Sequence, residues 1–171
     1  IAYKQEKAAG AIILLCVRGF LCYTVTYETV HKSLMAVRRK MGFSVNDLLL
    51  AEELKDAKIL GGKEGLDRQI KGVTIIEAPD IVKFINGGEV LLTGLYAFRS
   101  CSVEEFQKYI NELTKKSVSA LIMKRGRKVE NADIKIELLL EFANTHGIPV
   151  LEVPFEISFR DIMSRIMERL F

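Results

Sequence analysis

Tryptophan is absent from this chain of 171 residues, histidine occurs twice and cysteine three times. Cys16, Cys22 and Cys101 are too few for a disulfide scaffold, and none stands at the paired spacing of a zinc site. His31 and His146 lie 115 positions apart, so a histidine-based metal centre is not expected. There is no Gly-x-Ser-x-Gly elbow, no Gly-Lys-Ser/Thr closing a phosphate loop and no Gly-x-Gly-x-x-Gly fingerprint. No apolar run reaches the roughly twenty residues of a membrane helix. What remains is an ordinary globular composition, 49% hydrophobic and 27% charged, which excludes collagen-like, low-complexity and wholly disordered chains. The length suits one domain with a short appendage. Neither a metal, nor a cofactor, nor a catalytic set is expected.

The net charge of +3 conceals a division. Residues 1–40 carry seven lysines and arginines against two acids, whereas residues 41–171 carry eighteen against twenty. The larger part is therefore mildly acidic, unlike a basic nucleic-acid-binding domain. In the first forty residues an apolar run over 8–17 is interrupted by Arg18 and Gly19 before 20–25 turns apolar again. Arg18 would sit at mid-span of a membrane helix, where charge is costly, and it would break the core of a secretory signal. The segment reads as an extension outside the domain, or as a packed or interfacial helix. Met41 reads as a native start, because a clean domain pattern begins directly after it.

Residues 41–171 alternate between helix and strand. Ser44 with Asp47 forms a capping box, Phe43 and Leu48 stand at staple positions, and the helix is expected to run to about Asp56. Strands are expected over 57–60 and 69–77, separated by a turn at Gly61 and Gly62. A short helix over 81–86 is closed by Gly87 and Gly88. Val90, Leu91 and Leu92 mark a buried strand over 89–93. Ser102 and Glu105 form a second capping box, followed by Val103, Phe106, Ile110 and Leu113 at helical spacing. A strand over 120–123, a helix carrying Ile136, Leu139, Leu140 and Ala143, and a strand over 148–153 between Pro149 and Pro154 complete the alternation. Ser158 caps a last helix with Phe159, Ile162, Ile166 and Leu170 on one stripe. The fold class is α/β: a small mixed or mostly parallel sheet flanked by helices, in one domain, with right-handed crossovers. It becomes α+β if the first two strands pair as a hairpin.

Open α/β sheets bind ligands in crevices outside the carboxyl ends of their strands. Thr93, Gly94, Tyr96 and Arg99 follow the most apolar strand and offer a hydroxyl, exposed backbone, an aromatic face and a guanidinium fork. That set suits a planar polar heterocycle; the plainer alternative is a loop that merely packs. Glu77, Asp80 and Glu89 are acids near strand ends, able to act as acid or base or to hold a metal or a polar ligand, or else to cap and solvate. Glu89 is singled out because it opens the apolar strand. Lys124, Arg125, Arg127 and Lys128 make a basic loop that reads as solvated or as a phosphate contact. The double glycines read as turn and cap residues, Cys101 as inert, and His146 as a helix C-terminal cation. The last helix carries Met163, Met167, Leu170 and Phe171 and either docks on the sheet or continues into an assembly.

Taken in order, these motifs resemble the N-terminal domain of PucR-type purine catabolism regulators. The resemblance rests on residues 44–49, the Gly61-Gly62 turn with Gly65, Leu66, Asp67 and Arg68, then Gly72 and Val73 through Glu77, Ala78, Pro79 and Asp80. It continues through 87–94 and through 147–154 with Ser158, Phe159, Arg160, Asp161 and Ile162, and it spans residues 41–171. It implies a cytoplasmic, non-catalytic domain that senses a small effector, a purine metabolite or a related nitrogen compound, at the front of a bacterial transcription regulator. The helix-turn-helix of such regulators lies beyond this chain, so no direct nucleic-acid contact and no membrane association are expected of it. The effector is expected at Glu77, Glu89, Thr93, Gly94, Tyr96 and Arg99, with homo-oligomerisation through the last helix. A ligand-independent dimerisation module and an enzyme acting on a purine-like substrate are the alternatives.

Overall fold

Val90, Leu91 and Leu92 are all fully buried, a pattern possible only for a strand covered on both faces. The computed structural model describes residues 12–16, 22–26 and 42–171, and the chain divides into units Ile1–Gly42 and Phe43–Phe171. In the first unit β1 (Ile12–Cys16) pairs antiparallel with β2 (Cys22–Thr26), Ile12 opposite Thr26 and Cys16 opposite Cys22. The described parts of the two apolar runs are thus strands, not the helix that was one reading of them. Consecutive isoleucines in one run and alternating Thr and Val in the other favour the pleated form. Met41, Arg18 and Gly19 lie outside the described residues.

The second unit holds a five-stranded sheet in the order β3-β7-β6-β5-β4. The strands are β3 (Lys58–Gly61), β4 (Gly72–Ile76), β5 (Glu89–Thr93), β6 (Ala120–Met123) and β7 (Val150–Glu152). Strands β4 to β7 are mutually parallel and β3 runs antiparallel beside β7. The sheet is mixed and mostly parallel, as expected. The first two strands of the domain lie at opposite edges, which removes the hairpin and with it the α+β alternative.

The helices are α1 (Val45–Leu49), α2 (Val103–Thr114), α3 (Ala132–His146) and α4 (Phe159–Leu170). Alternate side chains of the central strands feed two cores. Leu91, Leu121, Met123 and Val150 pack with Phe106, Ile110, Leu139 and Phe142 of α2 and α3. Val90, Leu92, Ala120, Ile122 and Leu151 pack with Val45 and Leu48 of α1 and Ile162 and Ile166 of α4. The last helix therefore docks on the sheet, capped by Ser158, whose hydroxyl accepts from the Arg160 amide. Both capping boxes form: the Ser44 and Ser102 hydroxyls accept from the Asp47 and Glu105 amides, and the two acids accept from the cap amides.

Three elements depart from expectation. Helix α1 ends at Leu49, and the chain resumes as a 3₁₀ turn over Glu52–Leu54 after an extended Ala51. In a continuous helix Leu54 would point about 180° from Val45; the break turns it into the same core. Residues Pro79–Phe84 form a 3₁₀ helix, which brings Val82 and Ile85, three apart, to one buried side. Strand β4 begins at Gly72, after Gln69 has made an isolated bridge to Ser44.

The Gly61-Gly62 turn needs a glycine at position 62 for the fold. Gly62 has φ +67, and a Cβ there would stand 2.0 Å from the Ile148 carbonyl oxygen. Arg68 completes this seam. Its Nε donates to Gly147 O at 2.7 Å, and its Nη atoms donate to His146 O at 2.9 Å and Val118 O at 3.2 Å. One guanidinium thus satisfies orphan carbonyls at the end of α3 and fastens them to the approach of β6.

Candidate functional site

Because β4 to β7 are parallel, their carboxyl ends share one edge. Ile76 is paired with Thr93, Thr93 with Met123 and Met123 with Glu152. The segments that follow these residues are Glu77, then 94–99, then the basic loop 124–128, then 153–158. The tyrosine loop and the basic loop, distant in sequence, thereby become neighbours.

The loop after β5 is fixed from below. Thr93 is buried, and its Oγ1 accepts from the Leu95 amide at 3.1 Å, so its hydroxyl shapes the turn. Leu95 holds a left-handed backbone at φ 58, a conformation costing a leucine about 1–2 kcal/mol. It is held there by its buried side chain, which lines a small apolar cavity of about 20 Å³ with Ile76, Val82 and Phe98. The Phe98 ring meets Phe106 edge-on at 5.1 Å and Tyr109 at 5.6 Å. The buried Lys135 of α3 donates from Nζ to Phe98 O at 2.9 Å. Sequence reading passed over Lys135, although it stands on the apolar stripe with Leu139 and Phe142. A lysine at a core position was the available signal.

Above this foundation the chain presents Gly94, Tyr96 and Arg99. A Cβ on Gly94 would meet nothing within 4 Å, so its backbone faces open space. Tyr96 is 38% exposed. The Arg99 guanidinium lies over its ring, 4.5 Å from the centroid, and donates to Tyr96 O at 3.3 Å. Arg127 from the basic loop lies over the same ring at 5.0 Å. Each such contact contributes about 0.5–1 kcal/mol at an exposed site.

Lys124, Arg125 and Gly126 of the basic loop are built into the edge. Arg125 pairs with Glu152 at 2.8 Å. Lys124 donates to Phe155 O at 3.4 Å and lies 4.5 Å from the Phe159 ring centroid at the start of α4. Burial pushes the Lys124 ammonium below the usual lysine range, against the pull of Glu156 and Asp161. Gly126 lies under the Phe155 ring, where a Cβ would come within 2.3 Å.

Glu77 stands exposed at the end of β4, on this same edge. Glu89 does not join it. It opens β5, about 13 Å of strand away from Thr93, and its carboxylate accepts from the Thr74 hydroxyl and, at 2.9 Å, from the Asn86 amide. A groove of about 500 Å³ lies on that opposite, amino edge, lined by Arg68, Gln69, Lys71, Gly87, Gly88, Ser117 and Ser119. It is the roomier concavity, but its polar groups largely hold the fold. Arg68 grips three carbonyls, and Ser119 Oγ donates to Gln69 O at 2.6 Å.

Burial raises the Cys101 thiol above its usual range, with Glu105 adding to this and Lys135 opposing it; such a thiol is a poor nucleophile. Among the described residues no three His, Cys, Asp or Glu side chains gather as metal ligands, and no helix is long and apolar enough to cross a membrane.

Comparison with known proteins gives three findings. The model of the "Purine catabolism regulatory protein-like family" matches residues 47–170. The "Purine catabolism regulatory protein" of Bacillus subtilis (strain 168) is 27% identical over 127 residues, which are 74% of this chain and 23% of that protein. The chain thus spans about a quarter of that relative's length. A crystal structure of the CBS and DRTGG domains of the regulatory region of Clostridium perfringens pyrophosphatase, complexed with the activator diadenosine tetraphosphate, aligns with a TM-score of 0.46 at 20% identity. The alignment covers 86% of this chain and 58% of that one, and a likeness of this degree carries no functional weight.

Proposed function

The chain belongs to the purine catabolism regulatory protein-like family, and from that premise we propose that residues 43–171 form a non-catalytic, small-molecule-sensing domain of a cytoplasmic bacterial transcription regulator. The effector, a purine-pathway or related nitrogen metabolite, binds at the carboxyl edge against Gly94, Tyr96 and Arg99, with Glu77 at its margin. Thr93 serves the site by shaping the turn. Glu89 lies outside it. The observation that carries this reading is the rigidly founded loop after β5, which turns an aromatic ring, a guanidinium and bare backbone outward together. Binding acts on the rest of the regulator through α4, because the basic loop whose Arg127 lies over Tyr96 also carries Lys124, which lies against the Phe159 ring in the first turn of that helix. No direct nucleic-acid contact is assigned to this chain.

Thermal unfolding of the chain with purines, xanthine, urate, allantoin, nucleotides and amino acids tests this. A ligand at about 100 times its dissociation constant adds roughly 2.7 kcal/mol of stability. One chemical group of compounds is expected to raise the midpoint by several degrees, and Arg99→Ala to abolish the rise. No rise with any compound would overturn the sensor reading.

Homo-oligomerisation through α4 has a narrower basis. Ile162 and Ile166 are used by the chain's own sheet, which leaves Met167 and Phe171 exposed for a partner. Light scattering decides it: a monomer at high concentration removes the assembly module. An enzymatic reading finds its acids divided, Glu77 on one edge of the sheet and Glu89 on the other.

A further inference from the structure

We propose that the ligand of the carboxyl edge is an anion, a carboxylate or phosphate carried on a flat ring, and that Arg127 of the basic loop grips it together with Arg99. The proposal rests on the reading of this edge as the effector site and adds the charge class of the effector and a residue from a second loop.

Two guanidiniums converge on the Tyr96 ring, at 4.5 and 5.0 Å from its centroid. Among the described residues no carboxylate pairs with either of them. Two like charges over one ring repel, and an anion whose oxygens reach both guanidiniums relieves that. The domain as a whole is mildly acidic, so these two arginines are not part of a general excess of positive charge.

The basic loop is also sorted. Lys124 is turned inward to Phe155 O and the Phe159 ring, and Arg125 is neutralised by Glu152. Gly126 lies under Phe155, a fit that no other residue allows without moving the ring. The loop is thereby anchored at 124, 125 and 126, and Arg127 is the next residue, directed to Tyr96. Arginine stacked on an aromatic ring keeps its N–H edge available for a bidentate oxyanion contact. The ring of such a ligand finds Tyr96 and the bare backbone of Gly94 beside it.

The test uses matched pairs that differ in charge, guanosine 5′-monophosphate against guanosine and orotate against uracil, with inorganic phosphate alone as a further probe. Binding to the whole chain is measured by calorimetry at low and high salt. Arg127 and Arg99 are both exposed, so Arg127→Gln and Arg99→Gln are expected to stay folded, with the unliganded unfolding midpoint lowered by no more than about a few degrees. The charged member of a pair should bind at least about tenfold more tightly. Salt and Arg127→Gln should each erase that preference. Competition by inorganic phosphate identifies phosphate as the group gripped; preference for orotate without such competition identifies carboxylate. Equal or better binding of the neutral members, lost on Tyr96→Ala, overturns the anion while leaving the edge as a ligand site. A charge preference indifferent to both arginine variants places the anion elsewhere and also overturns the proposal. Failure of every member to bind overturns the proposal and the site reading together.

Discussion

Lys135 sets two requirements against each other at the scale of one residue. Its stem fills core volume, and its ammonium satisfies the Phe98 carbonyl. Lys135→Met keeps the volume and loses the hydrogen bond, whereas Lys135→Ala also opens a cavity, which costs about 2–5 kcal/mol for a buried side chain of this size. Urea unfolding should therefore show the alanine variant losing at least twice what the methionine variant loses. Similar losses would mean that the hydrogen bond, not the packing, is the larger contribution. Arg68→Ala should cost about 2–3 kcal/mol, since three backbone carbonyls lose a charged donor. Gly94 provides the opposite case. A methyl group there meets open space, so Gly94→Ala should leave stability within about 0.5 kcal/mol yet weaken effector binding. A variant that binds normally would show that the ligand does not approach this backbone.

At the scale of elements, much was legible because local chemistry decides it. The capping serines at 44, 102 and 158 and the stripe of Phe106, Ile110 and Leu113 announce helix starts and buried faces through side chains a few residues apart. Ser102→Ala should cost about 1 kcal/mol, read by thermal or urea unfolding. The length of α1 was not legible, because residues 50–56 contain good helix formers and only the tertiary demand to bury Leu54 breaks them. The site was half legible. Tyr96 and Arg99 follow a strand and so fall at its carboxyl end, and by the same rule Glu89, which begins that strand, falls at the other. The meeting of Tyr96 with Arg127 depends on which strands lie side by side and in which direction. No residue within either loop records that.

At the scale of the whole second unit, α4 is joined to its neighbours by more than its apolar face. Arg165 pairs with Glu53 of the 3₁₀ turn at 2.8 Å and with Glu168 at 3.1 Å. The Arg165 hydrogen bond holds the Glu53 carboxyl below the ordinary glutamate range. A carboxylate whose folded pKa is depressed contributes stability that is present above the unfolded value, about 4.3, and lost as the pH falls through the folded one. The pair is partly exposed, so its contribution is small and sensitive to salt. Unfolding midpoints measured from pH 6 downward should fall less steeply in Glu53→Gln than in the native chain, and the difference should shrink in high salt. Parallel curves would show that the pair does not couple the turn to the helix.

The position of Tyr96 also supplies a built-in optical signal. The chain has no tryptophan to mask tyrosine emission, and between residues 42 and 171 the only tyrosines are Tyr96 and the partly buried Tyr109. One of these two fluorophores lies beneath the guanidiniums of Arg99 and Arg127. A molecule that displaces either cation, or lies flat against the ring, changes the brightness of that phenol directly. Three further tyrosines, Tyr3, Tyr23 and Tyr27, emit as well, so the part that belongs to Tyr96 is the part lost in Tyr96→Phe, and the chain can be titrated on that difference in a cuvette without any label.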